Sequence, residues 1–118
     1  MPITWQQEAD NSLTFTITGK LDYEDLNNTR LDVKSILESQ KKVSILIVVR
    51  DFEGWEPSER WEDVSTIDEY DEYLSRFAIV GDEKWRDRLL AFTLDKVRSV
   101  DIRYFTSETE ARNWLSEE

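Results

Sequence analysis

Seven consecutive residues, Val43-Ser44-Ile45-Leu46-Ile47-Val48-Val49, are apolar but for one serine, and no other stretch constrains the fold as strongly. A strand with one wet face alternates apolar and polar residues. A near-continuous β-branched run needs both faces covered, which is the pattern of a central strand in a parallel sheet carrying helices. The run is also far too short to span a bilayer.

The flanking pattern fits that requirement. Ser12-Leu13-Thr14-Phe15-Thr16-Ile17-Thr18 alternates strictly, so it reads as a strand with one solvated face. Ile3-Thr4-Trp5 precedes it as a short hairpin partner, and Gly19-Lys20 is expected to end it. Asp22 reads as an N-cap for a helix over 23–40 with Leu26, Val33 and Leu37 facing the core. After the apolar run, Arg50 to Glu56 reads as a loop, and Pro57 or a neighbour opens a second helix. That helix carries Trp61, Val64, Ile67, Tyr70 and Leu74 at helical spacing. Phe77 to Val80 reads as a strand, a third helix follows with Trp85, Leu89 and Phe92, and Val100 to Phe105 is the last strand. Thr106 to Glu110 supplies capping residues for a final helix bearing Ala111, Trp114 and Leu115. The expected class is therefore α/β: one domain over 1–118, a mixed, mostly parallel sheet of about five strands, and about four helices.

Composition narrows the chemistry. The chain holds no cysteine and no histidine, which removes disulfides, thiolate chemistry and the commonest general base and metal ligand. Its start has neither a basic segment nor an apolar one, so no signal peptide is read and a cytoplasmic location is expected. The net charge of −11 is uneven: positions 51–72 hold ten acids and one base, Arg60, for −9, and the remaining residues share −2. Such a field repels phosphate backbones and anionic head groups, so no nucleic-acid partner is expected. A basic partner or a cation suits it, and a solvated helix face is the plain alternative.

Several phrases in order are similar to the SpoIIAA-like family, grouped with STAS and CRAL-TRIO domains. They are Gly19-Lys20-Leu21-Asp22-Tyr23-Glu24-Asp25, Asp51-Phe52-Glu53-Gly54-Trp55, and Trp61-Glu62-Asp63. Arg76-Phe77-Ala78-Ile79-Val80-Gly81-Asp82 follows with Trp85, then Val100-Asp101-Ile102-Arg103-Tyr104-Phe105 and Glu110-Ala111-Arg112-Asn113-Trp114-Leu115. The resemblance implies a small mixed sheet flanked by helices and no established catalytic activity. Relatives of this fold act as phospho-switched regulatory partners or carry apolar molecules. STAS antagonists have Asp-Ser-Ser-Gly after the central strand, and here Glu53 stands at the position of the phosphate-accepting serine. The histidine that members often carry before the Arg-Phe-Ala phrase is also absent, with Tyr70, Tyr73 and acids there instead.

The candidate site starts at Asp51, Phe52, Glu53, Gly54 and Trp55, where a buried parallel strand hands over to a helix, the crevice in which open α/β sheets place ligands. Trp61, Tyr73, Phe77, Trp85 and Phe92 are aromatic neighbours able to line an apolar pocket or to be plain core. Asp51, Glu53 and Asp63 could gather around Ca²⁺ or Mg²⁺, but no loop has the spacing of a dedicated site, so no metal and no cofactor are expected. Carboxylate pairs of the glycosidase kind need a long cleft that a chain this size does not easily build. Arg86, Arg88, Arg98 and Arg103 alternate with acids and read as surface. The first functional reading is a non-catalytic binding module for a protein partner or a second copy, using the helix after the central strand. The second is a carrier of a small apolar molecule lined by Trp55, Trp61, Trp85 and Phe77. An enzyme, confined to carboxylates, Tyr and Lys, comes third.

Overall fold

The computed structural model describes residues 3–9, 11–40, 42–57, 74–94 and 101–116. The strands are β1 (Ile3–Ala9), β2 (Ser12–Leu21), β3 (Val43–Trp55), β4 (Leu74–Val80) and β5 (Asp101–Phe105). The α-helices are α1 (Tyr23–Gln40), α2 (Arg86–Leu94), which a 3₁₀ turn Glu83–Trp85 leads into, and α3 (Glu108–Leu115). The five strands form one sheet in the order β1-β2-β3-β4-β5. β1 runs antiparallel to β2, and every other neighbouring pair is parallel.

That order fixes where the helices go. Each parallel connection steps one strand in the same direction, and right-handed crossovers then place α1 and α2 on the same face. Accordingly Val33 and Leu37 of α1 and Leu89 of α2 share one core with Leu13, Phe15, Ile17, Ile45 and Val49. α3 follows the last strand and covers the other face, where Ala111 and Trp114 pack on Leu46, Val48, Ala78 and Val80. The apolar run supplies both cores, odd positions to one and Leu46 and Val48 to the other, as a central strand must. The face of β2 expected to be solvated is largely covered on the α3 side: Thr14 is buried and Thr16 half-buried, and Thr14 shares a depression with Arg112 and Leu115 of α3.

Four expected boundaries moved. The segment expected as a loop over Asp51–Trp55 is strand, because β3 runs on to Trp55. β2 likewise passes through Gly19-Lys20 to Leu21, and β1 is longer than its three expected residues. Leu74, expected on the second helix, opens β4. The remainder of that helix, with Trp61, Asp63 and Tyr73, lies outside the described residues. α3 starts as its sequence predicts: Ser107 is the N-cap, its side chain accepting from the Glu110 backbone N–H at 3.4 Å.

Candidate functional site

The carboxyl end of β3 departs from a regular ladder. Thr18 pairs with Arg50, Gly19 with Phe52, Lys20 with Gly54 and Leu21 with Trp55, so Asp51 and Glu53 have no opposite number on β2. They are the extra residues of two consecutive bulges. Each bulge shifts the strand's alternation by one. Phe52 thereby returns to the face of α1 and α2 and is 7 % exposed, while the two acids point to solvent. Asp51 takes a left-handed backbone at φ 50°, a conformation that Asp tolerates better than most residues. Gly54, at φ 103°, lies where side-chain-bearing residues rarely go. The Glu53 carboxylate lies over Gly19: a Cβ built there would be 3.5 Å from its Oε2.

Three predicted aromatic residues meet beneath these acids. Phe52 and Trp55 are 5.1 Å apart between ring centroids, Phe52 and Trp85 4.8 Å, and Trp55 and Trp85 6.1 Å. Their planes cross at 88°, 73° and 78°, so each ring presents an edge to the next. Trp85 packs against this backbone: a Cβ built at Gly54 would stand in ordinary contact with it, 3.7 Å from the indole Cη2, so the positive φ rather than the ring asks for glycine there. Trp55 and Trp85 are half-buried, and the Trp85 indole N–H is buried without a hydrogen-bond partner among the described residues. The Arg88 guanidinium lies 5.3 Å from the Trp85 ring centroid. Alongside, an open depression of about 710 Å³ carries Asp22, Asp25 and Glu56 against a single base, Lys20.

Phe77 does not join this cluster. It pairs with Ile45 on β3, seven residues before Phe52, which is roughly 20 Å along the strand. It serves the core of the opposite end instead. Trp61 and Tyr73 belong to the residues not described, as does Asp63, and among the described residues no three metal-ligating side chains gather.

The sequence did not announce how its phrases interlock. Gly81 is needed because a Cβ there would come within 2.6 Å of the Tyr104 hydroxyl, which donates to the Asp82 carbonyl at 2.6 Å. Burial and then the Asp82 charge push the Tyr104 hydroxyl's pKa up. On the opposite face the Arg76 and Arg103 guanidinium groups lie 5.0 and 5.2 Å from the Trp114 ring centroid. Arg76 also donates to the Trp114 carbonyl at 2.5 Å. Arg88 and Arg103, read as plain surface, therefore pack on tryptophans. Arg112 of α3 reaches Glu8 of β1 at 2.6 Å and Glu108 at 2.9 Å, and hydrogen bonding from Arg112 holds the Glu8 carboxyl below its usual range. Only the Arg112–Glu108 pair, four residues apart within α3, has a local signal; the other contacts join residues from separate elements.

The fold is shared with two solved proteins. One is an uncharacterized protein of the DUF3478 family with a SpoIIAA-like fold from Shewanella loihica PV-4. It is 22% identical, with a TM-score of 0.72, and the match covers 96% of this chain and 91% of that one. The other is the anti-sigma factor antagonist SpoIIAA in its unphosphorylated form. It is 10% identical, with a TM-score of 0.67, covering 98% of this chain and 99% of that one. Among curated proteins nothing matches. No helix among the described residues is long and apolar enough to cross a membrane. The SpoIIAA-like family model matches residues 12–116, nearly the whole length from β2 to the end of α3, and the chain belongs to that family.

Proposed function

We propose that this chain is a non-catalytic, cytoplasmic binding module of the STAS kind whose partner is a protein, and that the partner docks at the carboxyl end of β3. The observation that carries this reading is the pair of bulges that lifts Asp51 and Glu53 out of the ladder while Phe52 stays packed below. Bulges of this sort re-aim side chains beside functional sites. The indole N–H of Trp85 in the same place is buried without a partner among the described residues, and a buried donor of this kind calls for an acceptor. The likeness to SpoIIAA, an anti-sigma factor antagonist, favours a protein partner over a substrate. Glu53 gives the site a permanent negative charge where STAS antagonists place a switchable serine. The edge-on contacts among Phe52, Trp55 and Trp85 fill the space between the rings, which favours a partner surface over an apolar carrier pocket.

A photoreactive residue installed in place of Glu53 tests the reading in cells. A discrete protein adduct at that position, and none from the same residue in place of Leu31 on α1, is the expected result. Equal labelling from both positions overturns it. So does a co-purifying apolar molecule in native mass spectrometry with no protein adduct.

A further inference from the structure

We infer that the Trp85 face is a guanidinium seat, occupied in the free protein by Arg88 and taken over by an arginine of the docking partner. The inference rests on the partner reading and names the chemistry the partner must bring. A cation already lies over this ring, with the Arg88 Cζ 5.3 Å from its centroid, so the ring is accessible to a flat cationic group and oriented to attract one. The ring is fixed in place by edge contacts with Phe52 and Trp55 and by the close passage of Gly54. Its occupant can be displaced to solvent, because Arg88 is exposed. An incoming arginine has more to gain. Glu53 is next in sequence to Gly54, and Asp51 is two residues further back, both exposed on their bulges. A guanidinium drawn to this edge by the exposed acids can lie flat on the indole, whereas a lysine ammonium supplies only a point charge. Arg86, also exposed and with no ring contact among the described residues, is the natural control for charge alone.

The experiment uses the whole chain and two synthetic peptides of equal charge, Gly-Arg-Gly-Arg-Gly-Arg and Gly-Lys-Gly-Lys-Gly-Lys, with blocked ends, titrated at physiological salt and followed by tryptophan fluorescence. The arginine peptide is expected to bind about threefold or more tightly than the lysine peptide. Arg88→Met, which keeps an apolar stem and removes the competing cation, is expected to raise affinity for the arginine peptide about threefold over Arg86→Met, which removes the same charge elsewhere. Melting curves of both variants report that the fold is intact, since both side chains are exposed. Equal affinity for the two peptides, or equal effects of the two methionine variants, overturns the guanidinium seat while leaving the partner surface standing. If Asp51→Asn with Glu53→Gln changes neither peptide's binding, the partner surface itself is misplaced.

Discussion

Single positions in this molecule are fixed by close approach more than by propensity. Tyr104 lays its hydroxyl where a side chain at residue 81 would begin, 2.6 Å from the position of a Cβ. Gly81→Ala is therefore expected to cost about 1–3 kcal/mol, as overpacking does. Tyr104→Phe alone loses one hydrogen bond and costs about 1 kcal/mol. Combined, the two changes should cost clearly less than their sum, because removing the hydroxyl opens room for the methyl. Urea unfolding of the four proteins measures this, and simple additivity would refute the contact. Asp51 offers the converse case. Its left-handed backbone strains most side chains, Asn and Asp less than others and Gly not at all. Asp51→Gly should leave stability within about 1 kcal/mol of the parent, and Asp51→Val should lose about 1–2 kcal/mol. Thermal melts that rank the valine variant at or above the glycine variant would contradict the backbone assignment.

At the scale of elements, α3 is capped at its start and tied to the sheet through Arg112. Ser107 caps its start, and Ser107→Ala is expected to cost about 1 kcal/mol in denaturant unfolding. Arg112 clamps the helix to Glu8 of the edge strand β1. The Glu8 carboxyl is held below its ordinary value of 4.5 when folded, first by the hydrogen bond from Arg112 and against the opposing effect of burial. Its contribution is thus fully present above about pH 4.5 and is lost as acid carries the pH down through the lowered folded value. The pair is partly open to solvent, so the contribution stays below about 1 kcal/mol. Unfolding of parent and Glu8→Gln should differ by a constant amount near neutral pH and converge in acid. A gap that widens on acidification has the wrong sign. Element identity was largely legible in the sequence, because the run from Val43 to Val49 demanded a buried strand and α1 carried its own cap and stripe. The end of β3 was not. Two bulges break the period of two just where acids enter, so Asp51 to Trp55 looks like a loop until the register with β2 is known. Phe77 looked like a neighbour of Trp85 for a similar reason: residue type is visible in sequence, but position along a parallel ladder is not. The Arg76–Trp114–Arg103 stack joins β4, β5 and α3, and nothing within any one of them signals it.

On the scale of the whole molecule, charge is divided by place. Residues 51–72 carry −9 of the net −11, and they begin at the bulged end of β3, where Asp51, Glu53 and Glu56 are exposed. The arginines Arg50, Arg76, Arg103 and Arg112 lie on the α3 side of the sheet, where Arg50 and Arg112 are matched by Glu8 and Glu108. The exposed acids Asp51, Glu53 and Glu56 give this end of the sheet an anionic field, which at physiological salt reaches about 8 Å from the surface. Vesicles of phosphatidylcholine with phosphatidylserine should leave the protein in the supernatant after sedimentation, because anionic head groups meet a like charge. Vesicles made cationic should pellet it at low salt and release it as salt is added. Anionic vesicles that sediment the protein at physiological salt would show that a basic or apolar surface outweighs the acidic one. If cationic vesicles also fail at low salt, the acids of 51–72 are consumed by partners within the fold and the field at the end of β3 does not exist. The expected pair of results, refusal by one surface and salt-sensitive capture by the other, is the behaviour that a module selecting a basic partner needs.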